Sequence, residues 1–161
     1  MFLISFIIAF CLLYLGLTLI FPLFFTGVWP IKKHWALWPL VLIIFATIII
    51  FSVNSSIANP LFANRFQHAF GGGFLAFFVC FLAMKKSGII INRFQFFCFS
   101  FLVVIALGVA SEILEYFLQN YFSFYLAETI NDTWLDLISN STGIIAASLL
   151  LVPFAGKSKK L

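Results

Sequence analysis

Charge is what this sequence has least of. Only 9% of its 161 residues are charged and five are acidic, where a soluble domain carries about 25% charged residues. So little charge beside 64% hydrophobic residues excludes an ordinary soluble globule, because a chain this short has too little interior to hide that much apolar surface. Metal-binding cysteine spacing is missing as well. Cys11, Cys80 and Cys98 lie singly in apolar runs and read as small packing residues. There is no HExxH or paired-histidine spacing, which excludes the familiar helical zinc signatures. Gly71, Gly72 and Gly73 lack the strand–turn–helix context of a phosphate-cradling loop. The net charge of +4 does not describe a nucleic-acid binder, since the basic residues form short clusters between apolar runs instead of a stripe.

What is present is apolar length. Phenylalanine occurs 24 times. Five apolar runs, at about 2–25, 35–53, 66–84, 94–121 and 132–154, each reach the ~20 residues that a helix needs to cross ~30 Å of hydrocarbon. In lipid the backbone must satisfy its own hydrogen bonds, which leaves helices or a closed barrel, and long unbroken runs favour helices. The expected fold is an all-α polytopic membrane bundle of about five transmembrane helices, with 1–161 as a single integral membrane domain. The first run is broken late by Pro22. No Lys or Arg precedes Lys32, so this run lacks the basic start of a signal peptide and reads as the first membrane helix. Asn59-Pro60 marks a turn in the polar link Asn54–Asn64.

The basic residues give an orientation. Lys32, Lys33, Lys85, Lys86, Arg93, Lys157, Lys159 and Lys160 fall on one side of a five-crossing chain, and only Arg65 on the other. The positive-inside rule then places the N-terminus outside and the C-terminus in the cytoplasm. Trp29, Trp35, Trp38 and Trp134 fit interfacial belts, and His34 an interfacial position among basic residues.

All five acids lie between 112 and 136: Glu112, Glu115, Glu128, Asp132 and Asp136. On the expected topology, the fourth and fifth runs bring four of them to the outer leaflet, where the third delivers Arg65, Gln67 and His68. Glu112 and Glu115 stand three apart, and Asp132, Asp136 and Asn140 four apart, so each set lines one helix face. Ser111, Gln119 and Ser139 add hydrogen-bonding groups nearby. A carboxylate at mid-bilayer costs about 2.5–3.5 kcal/mol. These groups should therefore face the bundle interior or a wet cavity, paired with Arg65, His68 or a cation.

Simpler roles stand beside this. Asp132 complements the N-terminal dipole of the fifth helix behind Thr129 as cap. Glu128 reads as a solvated loop residue and Arg65 as an interfacial anchor. Ala69/Gly73 and Gly72/Ala76 allow close helix approach. Glu112 and Asp136, a turn or more inside the apolar span, are the acids that such roles leave unexplained. His68 with carboxylate oxygens could hold a divalent cation, its candidate ligands being His68, Glu112, Glu115 and Asp136. Close carboxylates could equally share a proton and supply both an acid and a base.

The order His68, then Glu112-x-x-Glu115, then Asp136-x-x-x-Asn140-x-x-Gly143 resembles the VanZ-like family of small multi-pass membrane proteins. The resemblance covers about 64–147. Glu115 stands where the family more often has Gln, and the Arg often found shortly before the Asp is replaced by Asn131 and Asp132. The family's founding member is associated with glycopeptide-antibiotic resistance at the cell envelope, without a settled activity. The resemblance implies a bacterial or archaeal cytoplasmic membrane and contact with envelope lipids.

Two functional readings follow. In the first, His68, Glu112, Glu115, Asp132 and Asp136 supply acid/base or metal-binding groups, with Asn140 orienting a neighbour, in a site that binds or processes an envelope lipid or lipid-linked precursor. In the second, the chain is non-catalytic and the same residues form a structural network between helices. A proton or ion pathway is disfavoured, because 74–82 and 96–104 offer almost no polar step.

Overall fold

The computed structural model describes residues 2–27, 37–122 and 130–155, and within them the chain is helical, with no strand. The expectations for Trp29, Lys32, Lys33, His34, Trp35, Glu128, Thr129, Lys157, Lys159 and Lys160 fall outside the described residues. Among the described residues, five helices are long and apolar enough to cross a membrane. We denote them α1 (Phe2–Thr26), α2 (Trp38–Ser55), α3 (Pro60–Ser87), α4 (Arg93–Phe122) and α5 (Ile130–Leu151), the last followed by a short 3₁₀ turn, Val152–Phe154. Helix α1 continues through Pro22 to Thr26 instead of breaking there.

Local chemistry explains where the helices begin and end. Asn59 is extended and its side chain accepts a hydrogen bond from the Phe62 N–H, with Pro60 at the first helical position. The Asn-Pro pair therefore starts α3 at Pro60, earlier than the Phe66 expected from hydropathy. That moves Asn64 and Arg65 from the link into the helix. Gly88, at φ +67°, ends α3 in the left-handed conformation that glycine adopts without strain. Asn92 and Gln95 cap α4 reciprocally, each side chain accepting from the other's backbone N–H at 2.8 and 3.0 Å.

Helix α3 is the central element. Half of its apolar window is buried inside the molecule, against 17% to 28% for the other four helices. The rest of their apolar surface, such as Phe45, Ile49, Leu102 and Leu149, is exposed, as expected where lipid is the solvent. The Ala76–Ser87 part of α3 packs on α1, and its Gln67–Leu75 part packs mainly on α5. The core is continuous around Tyr14, Phe21, Ile43, Phe77, Phe96 and Ile144. Phe21 meets Phe99 at 4.7 Å between ring centroids, and Phe77 meets Phe96 edge-on at 5.5 Å.

The middle of α3 departs from α-geometry. Gln67–Leu75, which contains the glycine triplet, is wound as a π-helix between α-helical Pro60–Phe66 and Ala76–Ser87. Such wide turns cost hydrogen-bond quality and cluster at functional sites. This one lies against α5 without side chains to separate the backbones. A Cβ on Gly73 would fall 2.2 Å from the Asn140 carbonyl oxygen, and one on Gly143 would fall 1.8 Å from that of Ala69. The expected small-residue contact through Ala69 and Gly73 is thus made, with Gly143 as its other side.

Candidate functional site

The close approach of α3 and α5 decides which polar groups meet. Asp132 and Asp136, one turn apart, both accept hydrogen bonds from the Arg65 guanidinium, whose two terminal nitrogens each take one carboxylate. Arg65 Nη1 also donates to the Asp132 carbonyl at 3.3 Å, and Asn64 Nδ2 donates to Asp136 Oδ1 at 3.1 Å. Asp136 is the hub of the network, with a side chain only 3% exposed. Arg65 is therefore a bridge between helices.

His68 stands one turn further into the π-helical segment. Its Nε2 is 3.5 Å from Asp136 Oδ1, and its Nδ1 is 4.0 Å from Glu112 Oε1 on α4. Glu115 joins this side: one ligand atom each from His68, Glu112 and Glu115 lie within 4.8 Å of one another. Glu112 is buried, and its Oε1 has no hydrogen-bond partner among the described residues. A buried carboxylate oxygen left unpaired is costly and calls for a specific reason.

Asn140 lies a turn below Asp136, also buried, with its Oδ1 likewise unpartnered. It is enclosed by glycines. A Cβ on Gly72 would sit 2.1 Å from Asn140 Oδ1, and one on Gly108 would sit 3.1 Å from its Nδ2. The glycines at 72 and 108 thus leave the space that the Asn140 amide fills.

His68, Glu115, Asp136 and Asn140 face a cavity of about 470 Å³ with two kinds of wall. One is apolar, formed by Phe6, Ala9, Phe10 and Leu13 of α1 with Leu107 of α4. The other is polar, formed by Asn64, Gln67, His68, Ser111, Glu115, Asp136 and Asn140. A cavity of this size and lining matches a small-molecule site in which a few convergent polar groups orient an otherwise apolar ligand. An imidazole held between carboxylates serves general acid/base chemistry and cation binding equally well.

The structure brings His68, Glu112, Glu115, Asp132, Asp136 and Asn140 into one polar cluster, in two linked parts. Asp132 and Asp136 face Arg65, and Glu112 and Glu115 face His68. Of the flanking groups, Ser111 lines the cavity, while Ser139 is half-buried and donates to the Leu135 carbonyl. Sequence reasoning missed Asn64, the cavity-lining role of Gln67, and the apolar wall from α1. Asn64 was legible in principle, standing four residues before His68 on the same helical face. The wall from α1 carries no distinguishing residue. Comparison of the chain with protein-family models, curated proteins and solved structures gives no match.

Proposed function

We propose that this is a VanZ-like multi-pass protein of a bacterial or archaeal cytoplasmic membrane, whose outer-leaflet cavity binds or processes an envelope lipid or lipid-linked precursor. The observation that carries this reading is the two-faced cavity. Its aliphatic and aromatic wall on α1 suits an acyl or prenyl chain, and its wall of His68, Glu115, Asp136 and Asn140 suits the head group. A polar lining at membrane depth is expensive, and such residues ordinarily mark a substrate path or site. Arg65 against Asp136 also supports the family reading, since it supplies from α3 the arginine that the sequence lacks just before the aspartate. The basic clusters at Lys32–Lys33, Lys85–Arg93 and 157–160 support an N-terminus outside and a C-terminus in the cytoplasm.

Lipid extraction from the protein purified in mild detergent, followed by mass spectrometry, tests the proposal. Wild-type protein should retain a defined lipid above the bulk membrane composition. Ala9→Phe, which fills the cavity from its exposed apolar side, should lose it without loss of folding. Equal lipid profiles in both proteins would refute the proposal. Orientation is checked separately by C-terminal fusions: a fluorescent protein should mature there and alkaline phosphatase should stay inactive.

One observation favours the structural alternative. Arg65 ties α3 to α5 through both aspartates, as an inter-helix network would. The readings divide on Glu112→Gln: loss of lipid retention with normal accumulation supports a site, and loss of accumulation supports a network.

A further inference from the structure

We propose that His68, Glu112 and Glu115 form a binding site for one divalent transition-metal cation, of the Zn²⁺ or Mn²⁺ kind, two of whose ligands, His68 and Glu115, line the cavity. The inference rests on the reading of that cavity as a ligand site and names a cation within it.

Charge balance is the first argument. Among the described residues, Arg65 is the only Lys or Arg in this half of the bundle, because Lys85, Lys86 and Arg93 flank the opposite ends of α3 and α4. The guanidinium is committed to Asp132 and Asp136. Glu112 and Glu115 are left with His68 as the adjacent basic group, in a span where uncompensated charge is costly.

Geometry is the second. Three atoms no farther than 4.8 Å from one another share a centre within about 2.8 Å of each, somewhat longer than the roughly 2.0–2.2 Å of zinc–nitrogen and zinc–oxygen bonds. Side-chain rotations that bring each ligand atom inward by about 0.6–0.8 Å close the difference. The Glu112 side chain is 6% exposed, and its Oε1 has no hydrogen-bond partner among the described residues while standing 4.0 Å from His68 Nδ1. A bound cation gives that oxygen its partner.

The third argument is orientation of the imidazole. Asp136 Oδ1 lies 3.5 Å from Nε2, so a proton on Nε2 points toward a carboxylate that Arg65 and Asn64 hold in place. That tautomer leaves the Nδ1 lone pair facing Glu112. A carboxylate behind a ligating histidine is the usual way in which proteins fix a metal-binding ring. One imidazole with two carboxylates selects a first-row transition ion over Mg²⁺ or Ca²⁺, which prefer all-oxygen shells. Only three protein ligands leave open positions toward the cavity, where phosphate or carbonyl oxygens of a head group could complete the shell.

The test is titration of the full-length, chelator-stripped protein in detergent with Zn²⁺ and, separately, Mn²⁺, read by calorimetry and by metal content after desalting. One equivalent should bind to the wild type. Glu112→Gln and His68→Ala should each weaken affinity at least tenfold, and His34→Ala, which removes the chain's other histidine, should leave it unchanged. Glu115→Gln, at a less buried position, gives the same readout if Glu112→Gln fails to fold. Unchanged affinity in the Glu115→Gln and His68→Ala proteins, or no stoichiometric binding by wild type, overturns the proposal. Retention of a defined lipid by a wild type that binds neither metal would sink the cation site alone. Metal binding without lipid retention would uphold the cation site and sink the lipid reading.

Discussion

Around Phe77 and Phe96 the helices meet through rings and small aliphatic side chains, all buried and none charged. Around Arg65 and Asp136 they meet through a guanidinium, carboxylates and a backbone contact between glycines. The difference matters because lipid can stand in for the first kind of contact and not for the second. Lipid tails are as apolar as leucine, so separating Phe77 from Phe96 loses packing but little solvation. Separating Arg65 from its aspartates leaves partly buried charges without partners, and parting Gly73 from Gly143 opens a backbone interface that only small residues fit. The polar half therefore sets which helices pair, and the apolar half fills the space that results.

Three substitutions measure that contrast. Gly143→Val should have the largest effect. A Cβ at this position already falls on the Ala69 carbonyl oxygen and 2.9 Å from the Phe74 amide nitrogen, neither of which can rotate away. We expect a loss upwards of about 3 kcal/mol, seen as collapse of the melting transition in detergent and of accumulation in cells. Arg65→Gln should follow, at about 3 kcal/mol, because it strands two carboxylates. Adding Asp132→Asn and Asp136→Asn to it should recover more than half of that loss, since the penalty lies in the unpaired charges. Phe96→Ala should cost less, about 2 kcal/mol, below the roughly 3–5 kcal/mol of a soluble core because only packing is lost. A Phe96→Ala loss larger than that of Arg65→Gln would reverse the ranking of the two halves.

Much of this arrangement was legible in the sequence, and the boundary is physical. Five apolar runs each long enough to span lipid fix the number of helices, because hydropathy acts locally. The i, i+3 and i, i+4 spacings of Glu112/Glu115 and Asp132/Asp136/Asn140 state which face each acid occupies, and the structure gathers them as those spacings imply. The start of α3 was misplaced because hydropathy sees Pro60–Arg65 as polar, whereas the cap at Asn59 sets the boundary. The π-helical turn was not legible at all. It coincides with the close contact of Gly72 and Gly73 with Asn140 and Gly143, residues some seventy positions away in sequence. Nor could spacing say how the acids divide, since that depends on Arg65 lying nearer to α5 than to α4.

That division gives the smallest expected stability effect and the one that separates function from architecture. Glu112 is buried like Asp136, yet its Oε1 has no hydrogen-bond partner among the described residues, whereas Asp136 Oδ1 accepts from both Arg65 and Asn64. Replacing it by glutamine keeps the volume and removes a charge that no Lys or Arg pairs among the described residues. Glu112→Gln should therefore leave the melting temperature unchanged or raise it by a few degrees, as happens where a site is held at the expense of stability. Retention of the co-purifying lipid should fall in the same protein. Asp136→Asn should do the opposite in proportion, losing stability because Arg65 is left with one carboxylate. If Glu112→Gln instead destabilised the protein as much as Arg65→Gln does, Glu112 would belong to the network that joins the helices. The polar half would then be one structural cluster with no part set aside for a ligand.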